Sequence, residues 1–120
     1  KVPANKLWQF LQPYFKSKRE FEVRCALVMS MCYLLKEAWL DIVFHQLEEL
    51  DLSTIHSEYT NLTSPYYVRI GMAWLLATAL AKYPDETRSF VKASSLTEDV
   101  KRLYARKARE SFRTRQVVPY

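Results

Sequence analysis

Ser64-Pro65-Tyr66-Tyr67-Val68-Arg69-Ile70-Gly71-Met72-Ala73-Trp74-Leu75-Leu76 is the stretch whose reading decides the fold. Ser64 offers a side-chain oxygen to the first free N–H groups of a helix, and Pro65 stands where a missing N–H does no harm. Tyr66, Ile70, Ala73, Trp74, Ala77 and Ala81 then recur at the spacing of one helical face. The pattern predicts a helix from Ser64 to about Lys82. Gly71, the only glycine of the chain, lies inside it. A mid-helix glycine gives up roughly 1 kcal/mol against alanine, so a close packing neighbour is expected there. Arg69 interrupts the segment beside aromatic residues. The question this stretch poses is whether its helix is only core, or core with one edge turned toward a ligand.

Helical signals continue on both sides. Asn5 to Phe15 reads as a first helix, weakened in its last turn by Pro13. Glu20 to Leu35 reads as a second, with Arg24, Val28, Met31 and Leu35 on one stripe and Val23, Leu27, Ser30 and Leu34 on its neighbour. A third runs from about Ala38 to Leu50, apolar through Trp39, Ile42, Val43, Gln46, Leu47 and Leu50. Residues 51–63 lack periodicity and read as a loop with room for one short helical turn. Beyond the central helix, Tyr83-Pro84-Asp85-Glu86 is a clean start, with proline at the first helical position and acids where the helix dipole favours them. That fifth helix ends near Ala93. Thr97 caps a sixth, which sets Val100, Leu103, Tyr104, Ala108 and Phe112 against a basic remainder. Residues 114–120 read as a frayed tail.

The fold class is therefore all-α. One glycine and five prolines in 120 residues argue against an all-β fold, whose many turns need glycine. The length suits a single domain, 1–120. No apolar run approaches the ~18 residues of a membrane span. The opening Lys1-Val2-Pro3 lacks a methionine and is read as the start of a piece of a longer protein. Cys25 and Cys32 are seven apart, about 10 Å along a helix, which is too far for a disulfide. Free buried thiols fit a reducing, cytoplasmic setting. His45 and His56 have no cysteine partners at metal spacing, and no metal or cofactor is expected.

Two further patterns go together. An internal echo joins Phe21-Glu22-Val23-Arg24 to Tyr66-Tyr67-Val68-Arg69, 45 residues later, with Val100-Lys101 as a weaker third instance. A helix-pair repeat of ~40–47 residues is the HEAT or armadillo period. The expectation is a HEAT-like α-α superhelix of about six helices in three antiparallel pairs, the second helix of each pair lining one surface. Charge follows the same division. Residues 37–58 carry Glu37, Asp41, Glu48, Glu49, Asp51 and Glu58 and no lysine or arginine, whereas both chain ends are basic. Such segregation assigns one face to an anionic partner. Ordinary surface scatter is the plain alternative. Arg24 and Arg69 can equally pair with acids of neighbouring repeats, and Trp74 on an apolar stripe is by itself a core residue. Tyr66 and Tyr67 are adjacent, so one of them is expected in the core.

Four segments carry a family resemblance. Phe21 to Met29, Tyr66 to Leu75, Lys82-Tyr83-Pro84-Asp85-Glu86-Thr87 and Arg109-Glu110-Ser111-Phe112-Arg113 resemble, in order, motifs of the AlkD-type HEAT-like DNA glycosylases of DNA alkylation repair. The resemblance runs from about Trp8 to Arg113. It implies a solenoid that holds duplex DNA on a concave basic face and excises cationic alkylated purines, of the 3-methyladenine or 7-methylguanine type. It also implies that Arg24 faces the DNA backbone and that Trp74, Tyr66 and Tyr67 border the cleft. Arg69, Lys101, Arg102, Arg106 and Arg109 are the further candidates for backbone contact. No residue of this chain matches the family's catalytic aspartate, which is expected upstream, so the chain resembles the C-terminal part of such an enzyme. Gly71, Met72, Arg102 and Leu103 depart from the family pattern. The open alternative is a non-catalytic HEAT-like scaffold for nucleic acid or an acidic protein. A solenoid piece exposes an apolar end, through which a homodimer can form.

Overall fold

A computed structural model describes residues 2–57, 65–111, 113–114 and 116–120. Among them the chain is all-α. Its helices are α1 (Ala4–Phe15), α2 (Glu20–Tyr33), α3 (Leu40–Glu49), α4 (Tyr66–Lys82), α5 (Pro84–Ala93) and α6 (Glu98–Glu110), with a short 3₁₀ turn at Leu52–Thr54. The expected cap Ser64, most of the loop after the 3₁₀ turn, Phe112 and Arg115 lie outside the described residues. The chain groups into two compact units, Lys1–Val68 and Arg69–Tyr120. No described helix is long and apolar enough to cross a membrane.

In the first unit, α1 continues past Pro13 to Phe15. Burial of Leu11 and Phe15 holds the last turn, and the Gln12 side-chain amide donates to the Trp8 carbonyl at 3.4 Å. Helix α2 buries Glu20, Val23, Leu27 and Ser30, and Leu34 just beyond its end extends the same seam at alternating offsets of three and four. The stripe through Arg24, Val28 and Met31 is only half-buried, so the buried face is narrower than the sequence suggested. The helix ends two residues early, at Tyr33, and the Leu34 N–H still reaches the Ser30 carbonyl at 2.9 Å. Cys25 and Cys32 are free and exposed, not buried, because they lie across the helix from that seam.

Helix α3 starts two residues later than Ala38 and buries Leu40, Val43, Phe44 and Leu47. Ile42 faces outward beside Asp41, His45, Glu48 and Glu49. Around the 3₁₀ turn, Asp51 accepts from the Ser53 N–H at 3.1 Å. His56 then bridges to the start of α2, donating its N–H to Lys18 O at 2.8 Å and accepting from Glu20 N at 3.3 Å.

In the second unit, α4 buries Met72, Ala73, Leu75, Leu76, Ala79 and Leu80 almost completely. Beyond its first turn, solvent reaches the helix mainly along a strip through Ile70, Trp74, Thr78 and Ala81 and at Lys82, and Gly71 is buried in the middle of the helix. The face predicted as apolar from Tyr66 to Ala81 is thus the more open one. Pro84 opens α5 as expected, with Tyr83 O accepting from Thr87 N at 3.0 Å. Thr97 occupies the N-cap position of α6, but its hydroxyl bonds the Asp99 carboxylate instead of a backbone N–H. The described residues of the tail bond back onto α6 and the turn after it. Thr114 is buried and donates to Ala108 O at 2.7 Å, Tyr104 donates to Pro119 O at 2.7 Å, and Tyr120 donates to Lys101 O at 2.8 Å. Burial pushes the Tyr104 phenol well above its usual range, with the neighbouring Tyr120 adding to the effect.

Candidate nucleic-acid interface

The echo survives in three dimensions as a burial pattern. Its first position is exposed in Phe21, Tyr66 and Glu98, its third is buried in Val23, Val68 and Val100, and its fourth is half-buried in Arg24, Arg69 and Lys101. The fourth-position cations all reach a partner. Arg24 Nη1 donates to the Tyr67 carbonyl at 2.8 Å, with its guanidinium carbon 5.7 Å from the centre of the Tyr67 ring. Arg69 Nη1 meets Asp99 Oδ2 at 2.8 Å, the arginine side chain only 14% exposed. Tyr67 and Asp99 both hold the second position of the next echo. The arginine of one repeat therefore reaches forward to the same place in the following one, by a carbonyl in one case and a carboxylate in the other. Lys101 Nζ donates to Ser94 O at 3.4 Å.

A residue absent from the sequence reading completes the first of these contacts. Glu20 is fully buried, and its Oε2 accepts from the Tyr67 N–H at 2.7 Å. Glu20 and Arg24, one turn apart on α2, thus hold both backbone polar atoms of Tyr67. The carboxylate satisfies one of the N–H groups left open at the start of α4, where the helix dipole also favours negative charge. Its only signal in the sequence was position, one heptad before Leu27 on the buried seam.

Asp99 is the electrostatic counterpart in the second unit. Burial pushes its carboxyl up, and the Thr97 hydroxyl, the Arg69 charge and the Val100 N–H together outweigh that and hold it below the usual carboxylate range.

The remaining cation candidates point elsewhere. Arg102, Arg106 and Arg109 are exposed on α6 at offsets of four and three, so they form one row about 10 Å long. Arg106 Nε stands 3.6 Å from Glu110 Oε1, both side chains mostly in solvent, a pairing worth little in free energy.

Trp74 is 43% exposed. It borders a cavity of about 310 Å³ with Ala77, Thr78 and Ala81 from α4, and Lys107, Glu110, Ser111 and Arg113 from α6 and the turn after it. Small residues on α4 flank the indole in this lining, and α6 and the turn after it add two cations and one carboxylate. Of the three aromatic candidates, Trp74 lines this cavity. Tyr66 and Tyr67 are 39% and 37% exposed, ring centres 5.5 Å apart in an edge-on pair. Neither is core, which corrects the expectation that one would be: α4 begins at Tyr66, and its first turn carries both rings outward. The folded geometry brings Lys107, Glu110 and Arg113 to the site; in the sequence Glu110 and Arg113 belonged to the last resembling segment and Lys107 to the basic side of the sixth helix.

No protein-family model, curated protein or solved structure matches the chain.

Proposed function

We propose that this chain is the DNA-binding C-terminal part of an alkylpurine DNA glycosylase of the AlkD type, working in the cytoplasm on duplex DNA. The observation that supports it best is the cleft lined by the exposed Trp74 together with Lys107 and Arg113, next to the exposed row of Arg102, Arg106 and Arg109 on α6. Arginines in a row neutralise phosphates and supply affinity without reading sequence. An indole face stabilises a nearby cation by roughly 0.5–2 kcal/mol, which suits a purine made positive by alkylation. Charge develops on the sugar as the glycosidic bond of such a purine breaks, and a carboxylate beside the sugar stabilises it. In this proposal that acid comes from the residues expected upstream. Lys107, Arg113 and the arginine row hold the backbone, and Trp74 walls the base.

The test is binding to a duplex carrying one N-alkylated purine against the unmodified duplex. A preference for the alkylated duplex that Trp74→Ala abolishes, with helicity unchanged, is the expected result. Equal affinity for both duplexes in the unaltered chain contradicts the role of Trp74. The chain alone is expected to release no base.

A second reading is a non-catalytic helical-repeat scaffold for nucleic acid. The engagement of Arg24 by the Tyr67 carbonyl and of Arg69 by Asp99 favours it, since both arginines act as fasteners between successive echoes. Phosphate binding with no preference for alkylated duplex would select it.

A further inference from the structure

The cavity beside Trp74 has the size of a site for one small ligand. Its volume of about 310 Å³ is at the low end of small-molecule sites. A double helix, about 12 Å across its major groove alone, does not enter a space of that size. The lining is of two kinds. Helix α4 contributes the exposed Trp74 with Ala77 and Ala81 beside it, and the Thr78 hydroxyl there is already engaged by the Trp74 carbonyl at 2.9 Å. Helix α6 and the turn after it contribute Lys107, Glu110, Ser111 and Arg113. Ser111 Oγ accepts from the Arg113 N–H at 3.2 Å, which leaves its hydroxyl proton to donate.

Charge decides the sign of the ligand. The second unit, Arg69–Tyr120, holds eleven lysines and arginines against five acids. Asp85 meets Arg88, and Asp99 meets Arg69. Glu110, the one acid in the lining, has Arg106 at 3.6 Å. Glu86 and Glu98 are outside the lining, in the first turns of α5 and α6, where the helix dipole favours them. Among the described residues, neither Lys107 nor Arg113 makes an ion pair. The α6 side of the cavity therefore suits an anion, and the α4 side suits a flat ring.

An aromatic side chain beside two uncompensated cations matches one unit of nucleic acid, a base together with its own phosphate. Inside a duplex both faces of a base are covered by its neighbours, so it reaches a ring set in a cavity only after leaving the stack. We infer that this cavity holds a single nucleotide outside any base stack, its base on the Trp74 indole and its phosphate on Lys107, Arg113 and the Ser111 hydroxyl. The inference rests on the reading of this site as a nucleic-acid interface and adds what enters it. An unpaired nucleotide of DNA and a free mononucleotide present the same chemistry, and the test separates them.

Affinities for AMP, adenosine and ribose 5-phosphate are measured by titration calorimetry at about 50 mM salt. AMP should bind about tenfold more tightly than either fragment, because each fragment supplies only one of the two contacts. Trp74→Ala should reduce AMP to the affinity of ribose 5-phosphate, with Trp74→Phe in between and circular dichroism unchanged in both. Lys107→Ala combined with Arg113→Ala should reduce it to the affinity of adenosine. Lys92 is an exposed cation of α5 outside the lining, and Lys92→Ala should leave AMP binding unchanged. Equal affinity for AMP and ribose 5-phosphate overturns the inference, as does a loss in Lys92→Ala equal to that in the Lys107 and Arg113 variant. If DNA is the source, a duplex with one bulged adenine should bind about fivefold more tightly than the fully paired duplex, and Trp74→Ala should remove the difference. AMP binding as expected without that preference makes the free mononucleotide the ligand. Salt-dependent duplex binding without discrimination among the three small probes overturns the inference alone. AMP binding as expected with no binding of either duplex overturns the DNA-binding reading alone.

Discussion

Glu20 holds the first unit together in a way that its place in the sequence concealed. A fully buried carboxylate is unfavourable unless its acceptors are used, and here one is spent on the Tyr67 N–H. Glu20→Ala leaves that N–H without its acceptor and should lower stability by about 1–3 kcal/mol, read from urea unfolding. Glu20→Gln, which keeps an acceptor of similar shape, should cost less; equal losses would mean that only packing matters there. The opposite sign is expected where a buried hydroxyl has no partner. Among the described residues, Ser30 Oγ and Thr87 Oγ1 are both in that state. Ser30→Ala and Thr87→Val should each be neutral or raise stability by up to about 1 kcal/mol. Asp99 makes a pH prediction. Its carboxyl is held low in the folded chain, so the unfolded chain binds the proton more readily. Its contribution is then present above the ordinary aspartate value of about 3.9 and is lost as pH falls through the lowered folded value. Unfolding midpoints measured from pH 6 downward should drop more steeply in the unaltered chain than in Asp99→Asn. Parallel curves would show that the Arg69–Asp99 pair does not couple to folding.

Helix starts were legible in the sequence where their signals are local. Tyr83-Pro84-Asp85-Glu86 places α5 correctly because proline geometry and acid placement act within one turn. Faces were less legible, because burial is decided by neighbours. Periodicity named Tyr66, Ile70, Ala73, Trp74, Ala77 and Ala81 as the apolar side of α4; Ala73 and Ala77 are buried, but so are Val68, Met72, Leu75 and Leu76 off that face, while Tyr66 and Trp74 are exposed. Both sets are apolar, and the pattern alone cannot rank them. Helix ends fared similarly: Leu34 and Leu35 keep the hydrophobic pattern of α2 going, but they are buried from a non-helical stretch. The folded tail was hidden for a related reason. Residues 117–120 carry no helical signal, and the partners that hold them are Tyr104 and the Lys101 carbonyl, on α6. Deleting residues 117–120 should therefore destabilise the chain measurably, since it leaves the buried Tyr104 hydroxyl without its acceptor at a cost of about 1–3 kcal/mol. An unchanged melting curve would contradict this.

At the scale of the whole chain, the sequence yielded the all-α class, the order of six helices and the 45-residue echo, and the echo reappears in the structure as a burial pattern with forward-reaching arginines. It did not separate arginines that fasten repeats from arginines free to meet a phosphate, because both kinds have the same identity and the same helical spacing. The folded chain divides them: Arg24 is engaged by the Tyr67 carbonyl and Arg69 by Asp99, while Arg102, Arg106 and Arg109 stand exposed in a row on α6. The most direct test of the proposed DNA-binding role is the affinity for a short unmodified duplex, measured by fluorescence anisotropy between about 50 and 200 mM salt. Affinity should fall steeply with salt. Replacing Arg102, Arg106 and Arg109 together by alanine should make the log–log slope shallower by roughly 2 to 3, about 0.9 for each phosphate that is no longer neutralised. Affinity indifferent to salt, or a slope unchanged in the triple variant, would contradict the account.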